Sequence, residues 1–262
     1  ADAKERNAIE IINPINQDLS LMRTTLAASM LNAISRNEKQ GTLEGRLFEV
    51  ASIYIPESLP LTSYPDERKV LCVGTFGNNE SFFTMKGIAN PIAESMDIEF
   101  PYEPVQKSFL HPYQAVKVLC EGTEIGYFGK AAYDIQNELS MRTSAYIMEL
   151  DLKELSRWYG KKRTFQPISK FQEEKRDLAF VMDKNISCGD VENCIREANK
   201  YVKEIRLFDV YEGGQIPEGK KSMAFTVTFA PKEEAFDFEK VQKFVEKICK
   251  KLQNEFNIEL RG

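Results

Sequence analysis

Apolar and polar residues alternate in short runs along most of the chain, and helical spacing interrupts these runs at a few places. In the first 160 residues the pattern predicts strands at 47–55, 70–76, 98–102, 116–120, 124–129 and 146–152. It predicts helices from Thr24 or Thr25 through Ile34 and from Ser81 or Thr84 to Met96, and a short helix through Trp158. Strands in antiparallel order with helices between them indicate an α+β domain.

The last third of the chain has a more regular order of predicted elements. Strands are predicted at 177–182, 202–211, 221–229 and 258–260. Ser187 with Asp190 predicts a capped helix that ends near Lys200, and Asp237 predicts the start of a long second helix. The resulting order is β-α-β-β-α-β, the split βαβ arrangement.

A polar segment separates the two patterns. KKRTFQPISKF, which begins at Lys161, contains Pro167 and shows no strong periodicity. We therefore predict two domains, at 1–166 and 167–262.

Composition and charge exclude some classes of protein. Hydrophobic residues make up 42% of the 262 residues and charged residues 29%, which is typical of a globular protein. The net charge is −5, and residues 167–262 carry 17 Lys and Arg against 18 Asp and Glu. Neither half is basic, so any bound nucleic acid must contact a local site rather than a broad positive surface.

The five cysteines form no CxxC pair, which predicts reduced structural thiols rather than a zinc site or a disulfide framework. No membrane-length apolar run is present, so we expect a cytoplasmic protein that contacts neither membrane nor DNA. The polar start at Ala1 suggests a fragment of a longer protein.

The hairpin LFDVYEGGQIPEGKKSMAF, 207–225, carries the strongest chemical signal. An aromatic residue, Tyr211, lies near Asp209 and near the pair Lys220 and Lys221. Aromatic and cationic groups on a sheet can stack and hold unpaired bases. The alternative is a surface hairpin with a solvated lysine pair.

Together with KFQEEKRDLAF, 170–180, this hairpin resembles the C-terminal anticodon-binding domain of the bacterial phenylalanyl-tRNA synthetase beta chain. Upstream, INPINQDLSLMRTTLAASMLNAISRN, 12–37, and RLFEVASIY, 46–54, resemble the preceding part of the same chain. The resemblance implies a class II synthetase-like antiparallel domain without catalytic function, followed by a ferredoxin-like domain.

The resemblance also implies roles for three residues: Asp209, Tyr211 and Ser222 would contact the anticodon, with Tyr211 stacked on its first base. Lys220 and Lys221 would contact phosphates or belong to a solvated face. Tyr211 packed beneath the loop and Asp209 bound to the amides of Gly213 or Gly214 are the alternatives.

We expect no catalytic residue and no metal ligand in this chain. Arg46 and Glu49 lie near a possible motif 2 strand, where an ion pair is the simpler interpretation. His111 is the only histidine, and we interpret it as structural. The segment FFTMKGIANPIAESM, 82–96, stands where an active enzyme has a glycine-rich motif with an arginine. The resemblance therefore places ATP and Mg²⁺ on the alpha chain.

The expected partners are the phenylalanyl-tRNA synthetase alpha chain, in an (αβ)2 assembly, and tRNA(Phe). The segment INPINQDLSLMRTT, 12–25, is the predicted subunit-facing surface. Two alternatives stay open: a single-chain active synthetase, and a ferredoxin-like module that binds a small regulatory molecule.

Overall fold

The computed structural model describes residues 7–160, 170–231 and 234–261. The chain divides into two compact units, Ala1–Thr164 and Phe165–Gly262, which are called the first and second unit below. The linker predicted to begin at Lys161 and the boundary predicted at Pro167 lie outside the described residues.

An antiparallel six-stranded sheet forms the first unit, with the strand order β1-β2-β6-β5-β4-β3. This sheet confirms the predicted α+β class. The strands are β1 (Gly45–Ile55), β2 (Asp66–Phe76), β3 (Tyr102–Pro104), β4 (Leu110–Cys120), β5 (Thr123–Ala131) and β6 (Ala145–Asp151). The helices are α1 (Ala27–Lys39), α2 (Phe82–Ser95), α3 (Tyr133–Glu138) and α4 (Leu152–Ser156), and a 3₁₀ turn covers Gln17–Leu19.

The predicted elements of the first unit are present, and they differ from the prediction at the start of α1, at the position of β3 and in the additional helix α3. Helix α2 has Ser81 as its N-cap in a full capping box with Thr84. The strand predicted at 98–102 lies instead at Tyr102–Pro104, because the amide of Ile98 still closes the end of α2 by donating to the Ala93 carbonyl at 3.1 Å. Helix α3 was not predicted, since six residues are too few to show helical periodicity.

Each face of this sheet has its own apolar core. Helix α1 packs on one face through Leu26, Met30 and Ile34. Helix α2 packs on the other face through Met85 and Ala89. Burial of apolar area of this kind, at roughly 25 cal/mol per Å², is the main favourable contribution to folding.

Two buried carboxylates fix α1 in the first unit. Glu149 of β6 accepts hydrogen bonds from the amide of Leu26 at 2.5 Å, from the hydroxyl of Thr25 at 2.8 Å and from the hydroxyl of Tyr127. The N-cap of α1 is Leu26, so the cap predicted at Thr24 or Thr25 is wrong, because the Glu149 carboxylate satisfies the helix start; the Thr25 hydroxyl accepts from the amide of Ala27 at 3.0 Å. The start of α1 is therefore satisfied partly by a residue 123 positions away in the chain.

Glu38 fixes the other end of α1. It is 1% exposed, and its carboxylate accepts from the amides of Arg142 and Thr143, at 2.7 and 3.1 Å, and from the Thr143 hydroxyl at 2.6 Å. These three charge-assisted hydrogen bonds join α1 to the loop before β6.

The second unit is a four-stranded antiparallel sheet with the order β10-β7-β9-β8. Its elements are β7 (Glu174–Asp183), α5 (Cys188–Ala198), β8 (Val202–Tyr211), β9 (Lys220–Phe229), α6 (Phe238–Phe256) and β10 (Glu259–Leu260). This confirms the predicted β-α-β-β-α-β order. Ser187 and Asp237 cap the two helices, as predicted.

Both helices of the second unit cover the same side of the sheet. Phe180, Phe225 and Phe229, all fully buried, form a common core with Val191 of α5 and Ile248 of α6. The other side of the sheet carries no helix of the described residues. It is called the open face below.

Replacing Glu38 with alanine would leave two amides and a hydroxyl of the first unit without an acceptor, and we expect a loss of about 3 kcal/mol in the free energy of unfolding. Trp158, the only tryptophan, packs on the core of the first unit and reports its unfolding in urea by fluorescence. Glu67→Ala, at an exposed position, is the matched control. Equal midpoints for the two variants would contradict the role given to Glu38.

Candidate nucleic-acid interface

The open face consists of side chains that alternate with core residues along each strand. On β9, Met223, Phe225 and Val227 point into the core, so Ser222, Ala224 and Thr226 lie on the open face. On β7, the same alternation places Asp177, Ala179 and Val181 there. Small side chains at the centre leave a shallow platform, and the larger polar residues stand around it.

Asp209, Tyr211 and Ser222 come together on this platform. Tyr211 of β8 lies directly opposite Ser222 of β9, and Asp209 lies opposite Ala224. Directly opposed residues of an antiparallel pair share one face of the sheet. The three residues implied by the resemblance are therefore neighbours.

A β-bulge in β8 produces this arrangement. Leu207 is opposite the core residue Phe225, whereas Asp209 is opposite Ala224, so two steps on β8 match one step on β9. Without the extra residue, Asp209 would point to the same side as Leu207 and into the core. The bulge at Phe208 turns both Asp209 and Tyr211 onto the open face.

The Tyr211 ring is held at both its hydroxyl end and its face. A Cβ atom at Gly213 would overlap with Oη and Cζ of Tyr211 and would lie 2.9 Å from Cε2, so the ring packs directly on the glycine. The Arg261 guanidinium lies over the ring at 5.7 Å from its centroid, and it donates to Gln215 Oε1 at 3.1 Å. Tyr211 is nevertheless 38% exposed.

Asp209 and Ser222 differ in exposure. Asp209 is exposed, and no hydrogen bond joins its carboxylate to the amides of Gly213 and Gly214 among the described residues. Ser222 is 4% exposed and lies at the floor of the platform, between β7 and β8. An acceptor at the rim and a hydroxyl at the floor can together contact one base edge.

The two candidate lysines lie on different sides of β9, because successive residues of a strand alternate. Lys220 shares the face of Ser222, whereas Lys221 is opposite Met182 and shares the side of the core. The structure thus places one of the two lysines on the open face.

Two cations on the open face were not recognised in the sequence. Arg206 is exposed opposite Thr226, and Arg261 follows β10 and donates its amide to the Ala179 carbonyl at 2.7 Å. Strand alternation with Thr226 could have indicated Arg206. No local pattern indicated Arg261, because β10 is only two residues long.

The loop that follows Tyr211 is tied to the turn after β7. Lys184 Nζ lies 2.8 Å from the Glu212 carboxylate, and the Lys184 amide donates to the Gly219 carbonyl at 3.0 Å. The hydrogen bond from Lys184, with its positive charge, holds the pKa of Glu212 below its ordinary value. Ile216 is buried beneath the loop, which keeps its shape defined.

The other candidate residues have local partners. Arg46 is paired with Glu80 at 3.0 Å, as the ion-pair interpretation required, and Glu49 is paired with Arg23 at 3.0 Å. His111 accepts a hydrogen bond from the Tyr113 amide at 3.2 Å.

All five cysteines are free, as predicted, and burial raises the pKa of Cys72 and raises that of Cys194 to about 12. No cluster of three potential metal ligands occurs within residues 7–160, 170–231 and 234–261.

The second unit is therefore a split βαβ module. Two helices cover one face of its sheet, and the open face carries an exposed tyrosine and cations. Residues 169–261 match the family described as "Ferredoxin-fold anticodon binding domain", and residues 1–152 match "Phenylalanyl tRNA synthetase beta chain CLM domain". The chain belongs to the phenylalanyl tRNA synthetase beta chain family.

Individual relatives agree with this assignment. The chain is 34% identical over 260 residues to a phenylalanine–tRNA ligase beta subunit of Clostridium tetani, a match that covers 98% of this chain and 32% of the relative. It is 30% identical over 261 residues to the protein of the same name in Bacillus subtilis, which covers 95% of this chain and 32% of the relative. The chain therefore spans about a third of the length of the curated relatives it matches.

Among solved structures, a pyrrolysyl-tRNA synthetase from Desulfitobacterium hafniense aligns with a TM-score of 0.46 at 16% identity, over 56% of this chain and 51% of the other. A similarity at this level assigns neither a site nor a function. None of the described helices has the length and apolar character needed to cross a membrane.

Replacing Gly213 with alanine should displace the Tyr211 ring, since the new Cβ would overlap with its Oη and Cζ. In ¹³C-tyrosine NMR spectra we expect the Tyr211 ring signals, assigned with Tyr211→Phe, to shift. Gly214→Ala is the matched control, because a Cβ there meets nothing within 4 Å. Unshifted Tyr211 signals in the Gly213 variant would show that the ring does not depend on this contact.

Proposed function

We propose that this chain reads the anticodon of tRNA(Phe) through the open face of its second unit, as part of a phenylalanyl-tRNA synthetase. The observation that carries the proposal is the meeting of Asp209, Tyr211 and Ser222 on one face of the sheet. The membership of residues 169–261 in an anticodon-binding family supports it.

Each of the three residues has a chemical role that suits an unpaired base. The Tyr211 ring provides a stacking surface, worth roughly 1–3 kcal/mol per base. The Asp209 carboxylate accepts from the amino and imino groups of a guanine edge, and the Ser222 hydroxyl donates or accepts. Together they favour a guanine at the first anticodon position.

Local cations assist this contact in a unit that is nearly neutral overall. Lys220, Arg206 and Arg261 lie on or beside the open face and can neutralise a few phosphates. We infer that most of the affinity for the whole tRNA comes from other parts of the enzyme.

The first unit serves assembly with the alpha chain in this proposal. Ile12 and Ile15 are 94% and 92% exposed, and Leu19 and Leu21 are also exposed, although two backbone hydrogen bonds order this segment. The Ile11 amide donates to the Ser20 carbonyl and the Met22 amide to the Ile9 carbonyl, both at 2.8 Å. An ordered segment with exposed aliphatic residues is typical of a surface that a partner covers.

In this proposal the catalytic reaction takes place on the alpha chain. We infer that the assembly is an (αβ)2 heterotetramer of the cytoplasm. ATP and Mg²⁺ would act there. Arg46, the residue nearest to a catalytic motif in the first unit, is already paired with Glu80, which supports this division of roles.

Tyr211→Ala should weaken binding of the tRNA(Phe) anticodon stem-loop by about tenfold, the loss of one stacked base. Fluorescence titration of a labelled stem-loop at low salt measures the change. Tyr211→Phe keeps the ring and should bind like the unaltered chain. Tyr64→Ala, at a 99% exposed tyrosine of the first unit, is the control for loss of a surface ring.

A changed first anticodon base should weaken binding of the stem-loop to the unaltered chain. Variants of Asp209 or Ser222 alone should lose this preference for the first base. Equal binding by the Tyr211→Ala and Tyr64→Ala variants would refute the stacking role.

ATP–pyrophosphate exchange by this chain alone would favour the single-chain enzyme. A shift in melting temperature with phenylalanine, without any effect of RNA, would favour a regulatory module.

Charged substitutions at the exposed aliphatic segment should impair assembly. We expect the double variant Ile12→Asp, Ile15→Asp to lose co-purification with the alpha chain, because two carboxylates would be buried without partners. Leu61→Asp, at a 44% exposed leucine of a loop, is the control. Retained co-purification of the double variant would show that the alpha chain binds elsewhere.

A further inference from the structure

We propose a second ligand site on the first unit, which binds a nucleotide through its base and its phosphate. Its residues are Lys130, Tyr133, His111 and Tyr113, and it is called the Lys130 site. It is independent of the open face, because all four residues belong to the first unit.

A long bulge in β4 creates the site. Leu110 is opposite Ala131 and Ala115 is opposite Gly129, so five steps on β4 match two steps on β5. Residues 111–114 therefore project from the sheet. A Cβ at Gly129 would lie 2.6 Å from the Gln114 carbonyl oxygen and 2.8 Å from Ala115 Cα, so the glycine permits this close backbone approach.

Lys130 gives the site its preference for an anion. The residue is 9% exposed, and no carboxylate pairs with it among the described residues. Its ammonium lies 4.8 Å from the centroid of the Tyr133 ring and 3.5 Å from the Tyr133 hydroxyl, which is a long hydrogen bond. A nearly buried cation without a counter-charge gains free energy when an anion binds beside it.

Aromatic rings extend from Lys130 toward the bulge. The His111 ring lies 5.3 Å from Tyr133 and 6.1 Å from Tyr113, both edge to face. Tyr113 is 91% exposed and Tyr133 is 59% exposed, so ring surface remains open to a ligand. The hydrogen bond from the Tyr113 amide to His111 Nδ1, at 3.2 Å, holds the bulge in shape.

The Lys130 cation and the exposed aromatic rings together determine which class of ligand the site suits. A cation alone would suit any anion, and exposed rings alone would suit any flat apolar group. A phosphate on Lys130 and a base stacked on Tyr113 satisfy both ends of the site with one ligand. The ligand is either a free nucleotide or an unpaired nucleotide of an RNA strand, which share this chemistry.

The test uses the whole 262-residue chain with Tyr211→Ala, which removes the stacking ring of the open face, so that the added effects of Tyr113→Ala and Lys130→Met report on the Lys130 site. Calorimetric titrations with ADP and with a four-nucleotide single-stranded RNA distinguish the two sources. Tyr113→Ala should weaken binding by about tenfold. Lys130→Met should weaken it as well and should lower the dependence on salt by about one phosphate contact.

Tyr64→Ala is the control, because Tyr64 is a 99% exposed tyrosine in the loop at the opposite end of the sheet. Trp158 fluorescence verifies that the Lys130→Met variant is folded. If that variant is unfolded, the Tyr113→Ala variant still tests the site. Tighter binding of RNA than of ADP identifies RNA as the source, and the reverse identifies a free nucleotide.

No binding of either probe, or equal affinities for Tyr113→Ala and Tyr64→Ala, would overturn the proposal. Neither result bears on the anticodon surface, which is tested separately with an intact Tyr211.

Discussion

The one-residue mismatch between β8 and β9 at Phe208 determines which side chains at the end of β8 lie on the open face. A sheet with helices on one side must send alternate side chains into the core, and Ile205 and Leu207 obey this rule. The bulge at Phe208 then reverses the alternation, so that Asp209 and Tyr211 leave the core side. The positions of Asp209 and Tyr211 on the platform depend on this local break in register.

Periodicity was sufficient for most of the fold. Alternation along 221–229 and the apolar spacing of α6 follow from burial on one side only, and such patterns can be read directly. The capped starts at Ser81, Ser187 and Asp237 were also visible, since capping depends on near neighbours. Helix α3 and the true position of β3 could not be predicted from the sequence, because such short elements depend on their tertiary contacts.

The candidate site was less accessible to sequence reasoning. Asp209, Tyr211 and Ser222 came from the resemblance, and the sequence alone did not show that a bulge brings them together. Arg261 is 50 positions from Tyr211 and has no local signal, so only the fold shows that it lies over the ring. The separation of Lys220 from Lys221 follows from strand alternation and was foreseeable.

The contacts of Tyr211 with Gly213 and Arg261 have a consequence for the thermodynamics of recognition. A free tyrosine side chain loses rotamer freedom when a ligand immobilises it, and that loss opposes association. Here the ring is already confined by Gly213 and Arg261, although Tyr211 is 38% exposed. Preorganisation of this kind would let the surface that we propose for anticodon reading discriminate among bases with a small loss of side-chain entropy.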